Sequence, residues 1–228
     1  MDLRALNRRI VACRKCARLV EWREAIARKK RRLYMDWEYW GKPVPGFGDD
    51  QARILVVGLA PGAHGSNRTG RQFTGDASGR FLYPALFRAG LATQPESTAR
   101  DDGLELRGLY LTASCRCVPP GNRPTPQELA NCRPFLEREI AILAPKVVVC
   151  LGRLAFAGVL RIHGLRAADF SFSHGARYHI RAIGGLAPRW LLCSYHPSQQ
   201  NTLTGRLTAE MFDQIWHMAQ DLADDAGG

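Results

Sequence analysis

Four short apolar runs constrain this chain more than any other feature: RILVVG (53–58), LYLTA (109–113), VVVCLG (147–152) and WLLCSY (190–195). Each is nearly continuous in Val, Leu and Ile rather than alternating, the pattern of parallel strands covered on both faces. Helical stretches separate them. One begins near Ser78 and closes at Gly90. Another opens on Thr125-Pro126-Gln127-Glu128, a capping box with Pro at the first helical position, and runs to about Leu143. A third covers about 153–161 and a last one 208–223. The stretch 164–187, with YHIRAIGG, reads as a short strand or as irregular chain. Strand–helix alternation of this kind predicts an α/β fold, a three-layer α/β/α sandwich on a central four-stranded parallel sheet. With 228 residues and no long linker, one domain spans 1–228, and a basic helical arm occupies 1–45.

In such folds ligands gather beyond the carboxyl ends of the strands. Three polar, turn-forming segments fall there: GLAPGAHGSNRTGRQFTGD after the first run, SCRCVPPGNRPTP after the second and SYHPSQQNTLTGR after the fourth. The first has glycines that allow close backbone approach, but it matches neither a P-loop nor the G-x-G-x-x-G dinucleotide fingerprint. It carries His64, Asn67, Phe73 and Asp76. Asp76 has two explanations at this stage, a reactive carboxylate or the N-terminal acid of the helix that follows. Asn122 in the second segment is either a turn residue or an amide able to read a carbonyl and an N–H together. His196 follows a strand directly, ahead of Ser198, Asn201 and Arg206. Convergence of three such loops favours one functional site.

Charge and thiols add a second constraint. Thirty-two Lys and Arg oppose 21 Asp and Glu, a net +11. Residues 1–32 carry twelve bases and three acids, whereas the tail beyond Arg206 carries five acids and no base. The excess indicates a polyanion partner, with nucleic acid favoured over a lipid surface. No apolar run reaches the roughly 20 residues of a membrane span, and no secretory signal opens the chain, so a cytoplasmic protein is expected. Of seven cysteines, Cys150 and Cys193 lie inside apolar runs and read as core. Cys13 and Cys16 form a C-x-x-C, and Cys115, Cys117 and Cys132 follow later. Four of these would hold zinc or a [4Fe–4S] cluster, and the spacing alone does not choose.

The segments GLAPGAHGSNRTGRQFTGDASG, RCVPPGNRPTPQELANC and SYHPSQQNTLTGRLT resemble the signature motifs of the type-5 uracil-DNA glycosylases, the iron–sulfur B-type branch of that superfamily. The likeness runs from the C-x-x-C to the final helix. It implies the superfamily fold and a [4Fe–4S] cluster on Cys13, Cys16, Cys117 and Cys132, with Cys115 a bystander. It implies a monofunctional glycosylase that hydrolyses the N-glycosidic bond of uracil, starting base excision repair. The partner would be double-stranded DNA containing deaminated bases, and the protein a monomer associated with the nucleoid.

By the same resemblance Phe73 stacks on an extruded base, Asn122 bonds its Watson–Crick edge, and backbone N–H groups at Gly62 and Ala63 receive a carbonyl. His196 stabilises the departing anion and Asp76 serves the attacking water or the sugar cation. Ser198 and Asn201 contact the backbone beside the flipped sugar. On charge, basic groups of the N-terminal region together with Arg68, Arg71, Arg123 and Arg206 are the candidates to hold phosphates, and Leu203 is the candidate apolar wedge. One departure is Ala60-Pro61-Gly62, which lacks the acid or Asn that other branches place just after the strand. A roomier pocket follows, with hypoxanthine and mispaired thymine as further substrates. The three loops contain no lysine, which disfavours an amine nucleophile with strand cleavage. The rival reading is a non-catalytic iron–sulfur or zinc protein that binds nucleic acid.

Overall fold

The structure, a computed structural model, describes residues 2–181 and 189–225. The four apolar runs become β2 (Ile54–Gly58), β3 (Leu109–Ala113), β4 (Val147–Leu151) and β6 (Arg189–Ser194). They form the parallel centre of one sheet in the order β3-β2-β4-β6, with Ile54 in register with both Leu109 and Val147, and Val147 with Trp190. Every residue of β2, β3 and β4 is buried, which is why their sequences do not alternate.

The sheet is wider than expected, six strands rather than four. A two-residue β1 (Phe47–Gly48) pairs antiparallel with β3, and β5 (Arg177–Ile180) pairs antiparallel with β6. Neither carries a buried apolar run: β1 is a Phe-Gly pair, and only Ile180 of β5 is buried. The expected strand or irregular stretch at 164–187 thus contains β5, while 182–187 lies outside the described residues.

Helices cover both faces. On one side, α4 (Ala77–Arg88) and α8 (Ala209–Asp224) pack Leu82, Leu86, Phe212 and Trp216 against Ile54, Val56 and Val149. On the other, α1 (Leu3–Val11), α5 (Pro126–Leu143) and α6 (Arg153–Ile162) pack Leu3, Ile140, Phe156 and Val159 against Leu55, Val57 and Val148. The capping box forms: the Thr125 hydroxyl accepts from the Glu128 N–H, and Glu128 accepts from the Thr125 N–H. Among the described residues no helix is long and apolar enough to cross a membrane.

The N-terminal segment is α1, the C-x-x-C, then α2 (Ala17–Lys29) and a 3-10 turn at Arg32–Tyr34. It is fastened to the body. Leu6 and Ile10 are buried, and the Asn7 amide donates to the Tyr110 hydroxyl at 3.1 Å. Arg18 forms a two-pronged bond to Glu128 of α5 at 2.8 and 2.6 Å.

Candidate active site

The chain leaves β2 at Gly58 and returns to the sheet face through α3 (Ser66–Thr69) before α4 begins. This loop, with the ends of β3 and β6, encloses a cleft of about 390 Å³, at the small end of the roughly 300–1,000 Å³ usual for ligand sites. Gly62, Phe73, Asp76, Asn122, His196 and Ser198 all line it. Three segments distant in sequence therefore converge, as the loop positions require.

Phe73 is the buried floor. It takes a left-handed backbone, φ +52°, uncommon for a bulky residue. The local sequence holds it there. A Cβ on Gly79 would sit 1.8 Å from the Phe73 carbonyl oxygen, and one on Gly58 would sit 2.8 Å from its ring. The Tyr83 hydroxyl donates to the neighbouring Gln72 carbonyl at 2.7 Å. The His196 ring lies 6.1 Å from the Phe73 ring, centroid to centroid.

Asp76 is the N-terminal acid of the helix that follows, and it also lines the cleft. Its Oδ1 accepts from the Gly79 N–H at 2.9 Å and caps α4. Its Oδ2 occupies the space left by two missing side chains, since Cβ atoms on Gly62 and Gly65 would come within 2.9 and 2.2 Å of it. Burial raises the carboxyl above its ordinary pKa, opposed by the Gly79 and Ser78 N–H groups and the charges of Arg80 and Arg68. Burial pushes His196 down to about 4, so a neutral imidazole faces the cleft at neutral pH. The loop after it is braced by the Asn201 side-chain amide, which donates to the His196 carbonyl at 2.9 Å. Asn201 thus has one partner inside the protein while remaining half-buried.

Asn122 sits at the exposed lip with φ +57°, a conformation Asn tolerates. Among the described residues its side-chain amide has no hydrogen-bond partner, nor do the N–H groups of Gly62 and Ala63. Ala63 is half-buried and lies outside the cleft lining. Arg123, Leu203 and Arg206 are exposed; Leu203 is 81% accessible and Arg206 lies over the Tyr195 ring.

Two of the arginines expected to hold phosphates are buried within the protein. Arg71 is buried and grips Asp102 with two bonds, at 2.8 and 2.6 Å, besides Thr74 and Ser97. Arg68 is buried in the corner made by the Tyr34 and Trp37 rings, 4.0 Å from each, and donates to the His64 and Gly75 carbonyls. Both guanidiniums have partners inside the protein that tie the loop together. Gln72, buried and lining the cleft, went unnamed in the sequence, where nothing but its place beside Phe73 marks it.

Away from the cleft, Cys13, Cys16, Cys117 and Cys132 line one small cavity with Leu19 and Phe135, and Cys115 does not. Among the described residues no three His, Cys, Asp or Glu are grouped to hold a single metal ion. A zinc ion needs sulfurs drawn to about 2.3 Å from one centre. An iron–sulfur cluster is a wider object whose thiolates are spread over several irons. Two sulfurs already have donors of the kind thiolates accept: Arg23 Nη1 lies 3.0 Å from Cys117 Sγ and Asn131 Nδ2 lies 3.3 Å from Cys16 Sγ. Arg23 is 2% exposed, and its charge needs a negative neighbour there. The donor set fits a thiolate-held cluster.

Fold and cleft together define an α/β scaffold in which a carboxylate and a neutral imidazole share an aromatic-floored pocket. A sequence model of the uracil DNA glycosylase superfamily matches residues 45–220. A type-5 uracil-DNA glycosylase of Thermus thermophilus is 54% identical over 98% of this chain and 99% of its own length. One from Mycobacterium leprae is 51% identical over 96% and 94%. A type-4 uracil-DNA glycosylase of Archaeoglobus fulgidus is 31% identical over 84% and 79%. The chain belongs to the uracil DNA glycosylase superfamily, within its type-5 branch.

Proposed function

We propose that this protein hydrolyses the N-glycosidic bond of uracil in DNA, releasing the base and leaving an abasic site. The observation that carries the reading is the pairing of Asp76 and His196 across a cleft floored by Phe73. The target nucleotide must leave the duplex, at a cost of a few kcal/mol that is least at a mispair. Phe73 stacks on the base, Asn122 bonds its edge, and the free Gly62 N–H receives a carbonyl.

The C1′–N1 bond then breaks with its electron pair going to the base. Positive charge builds on the sugar and negative charge on the uracil oxygens. A neutral His196 N–H aimed at that oxygen strengthens its bond as charge develops, in the manner of an oxyanion hole. The Asp76 carboxylate stabilises the sugar cation and takes the proton as water oxygen bonds to C1′. Among the described residues one carboxylate lines the cleft, so the reading does not follow the two-carboxylate glycosidase scheme. The three loops hold no lysine, so the reading is of a monofunctional enzyme.

Ala60 and Gly62 line the cleft and bring no polar side chain of their own to test the shape of the base. That supports action on hypoxanthine and on thymine opposite guanine as well as on uracil. Cys13, Cys16, Cys117 and Cys132 are the ligands we assign to a [4Fe–4S] cluster. When bound, it supplies metal–thiolate bonds that tie the N-terminal arm to the sheet. Arg23 and Asn131 donate to two of those sulfurs and orient them.

The test is excision from a duplex carrying one uracil, read by alkali cleavage of the abasic product across mispairs at low salt. Cleaved product after alkali, and intact strands before it, is the expected result. Persistent intact substrate alongside tight DNA binding would replace this reading with a non-catalytic nucleic-acid-binding protein.

A further inference from the structure

Three exposed large apolar side chains fall within five residues: Leu33 at 73%, Met35 at 55% and Trp37 at 37% accessible. Single exposed apolar residues are ordinary, but several on one short turn mark a contact surface. The turn is held rigid. Tyr34 N–H donates to the Arg31 carbonyl at 2.7 Å, Trp37 N–H to the Tyr34 carbonyl at 3.2 Å, and Lys30 Nζ to the Met35 carbonyl at 2.9 Å. Its inner side is anchored to the catalytic loop. The Tyr34 and Trp37 rings pack on the Arg68 guanidinium, and the Tyr39 hydroxyl bonds His64 Nδ1 at 3.0 Å. Five cations in succession, Arg28 to Arg32, lead into it.

We propose that residues 31–35 form a second DNA-contacting lip of the cleft, with Arg31 and Arg32 on phosphates and Leu33 and Met35 pressed against the duplex beside the extruded nucleotide. The turn packs on Arg68 and His64 of the β2 loop, whose other residues, Gly62 and Phe73 among them, line the cleft. Leu203 belongs to the wall built by the β6 loop. Duplex that spans the mouth meets an apolar side chain from each wall. The occupant is DNA rather than a protein because the apolar pair is fused to five cations, which complement a polyanion. Apolar side chains in this setting fill or prop the gap left by unstacking. The gap exists only in a duplex, since a single strand has no opposing stack to restore.

The inference rests on the base-excising reading of the cleft. The experiment compares single-turnover excision of uracil from a duplex and from the same oligonucleotide as a single strand, for the wild type and for Leu33→Ser/Met35→Ser. The duplex-to-single-strand rate ratio should fall about tenfold in the variant. An equal loss on both substrates means that the turn merely supports the fold, and an unchanged ratio removes the lip; either overturns the proposal. A wild type that excises from neither substrate overturns the excision reading instead. In that case binding of undamaged duplex still tests the lip. Arg31→Ala/Arg32→Ala should flatten the slope of log affinity against log salt by about two, as expected for the loss of two phosphate contacts. An unchanged slope takes both arginines out of the interface.

Discussion

Asp76 shows how one side chain serves the helix and the cleft at once. Oδ1 is committed to the Gly79 N–H, and Oδ2 faces the cleft-side turn between Gly62 and Gly65. Asp76→Asn retains an amide oxygen for the cap and removes only the charge. Single-turnover excision should then fall by about 10²–10⁴, the usual range for a positioned acid–base group, with the melting temperature close to wild type. Asp76→Ala adds the loss of the cap, worth about 1 kcal/mol. If the Asn variant keeps its rate within a few-fold, the carboxylate is a cap and nothing more. The pH profile carries the same distinction. Burial raises the Asp76 carboxyl, so the active ionised form is lost as pH falls through a value above the ordinary carboxylate range. His196, held down to about 4, stays neutral through that window. The rate should therefore rise with pH along an acid limb that is absent from the residual activity of Asp76→Asn.

At the scale of elements, the loop from β2 through α3 to α4 is a fitted piece whose glycines are positions rather than flexibility. Gly65 has φ −101°, outside the left-handed region, so Ala there perturbs by collision: its Cβ falls 2.2 Å from Asp76 Oδ2. Gly65→Ala should cost about 10²-fold in rate, the scale of an ångström misplacement of a reacting group, while the circular dichroism spectrum is retained. A variant with wild-type rate would mean that Oδ2 is free to move without consequence. The same loop shows what sequence can and cannot disclose. The parallel strands and the Thr125 cap were legible because burial on both faces and capping leave local patterns. β1 was not, because two residues have no period. The burial of Arg68 and Arg71 was not legible for a different reason. Sequence displays a charge, but their burial is decided by Asp102, 31 residues beyond Arg71, and by rings of the 31–37 turn. Asn201 likewise stood in the right loop, and only the fold revealed that its amide donates to the His196 carbonyl.

For the molecule as a whole, the arm and the sheet meet at the four cysteines. Apolar contacts of α1 and the Arg18–Glu128 pair hold the arm elsewhere, but Arg18 is 43% exposed and such pairs are weak in water. Arg23 is the stronger indicator. Its nearest carboxylate partner, Glu24, stands at 4.0 Å and is shared with Arg14, so the guanidinium depends on the sulfur side for compensation. A buried charge that loses its partner is strongly destabilising, by roughly 3–5 kcal/mol. Removal of the proposed cluster should therefore loosen α2 and, through Asn67, which donates to the Arg23 carbonyl, reach the catalytic loop. Cys117→Ser and Cys132→Ser should lose visible absorbance and iron, melt lower, and expose the 28–32 run to trypsin. Cys115→Ala, outside the cavity the other thiols line, should keep its colour and its melting temperature. Bleaching by Cys115→Ala with retention by Cys117→Ser would transfer the third ligand to Cys115. A colourless, zinc-bearing protein from anaerobic expression would replace the cluster with a single ion.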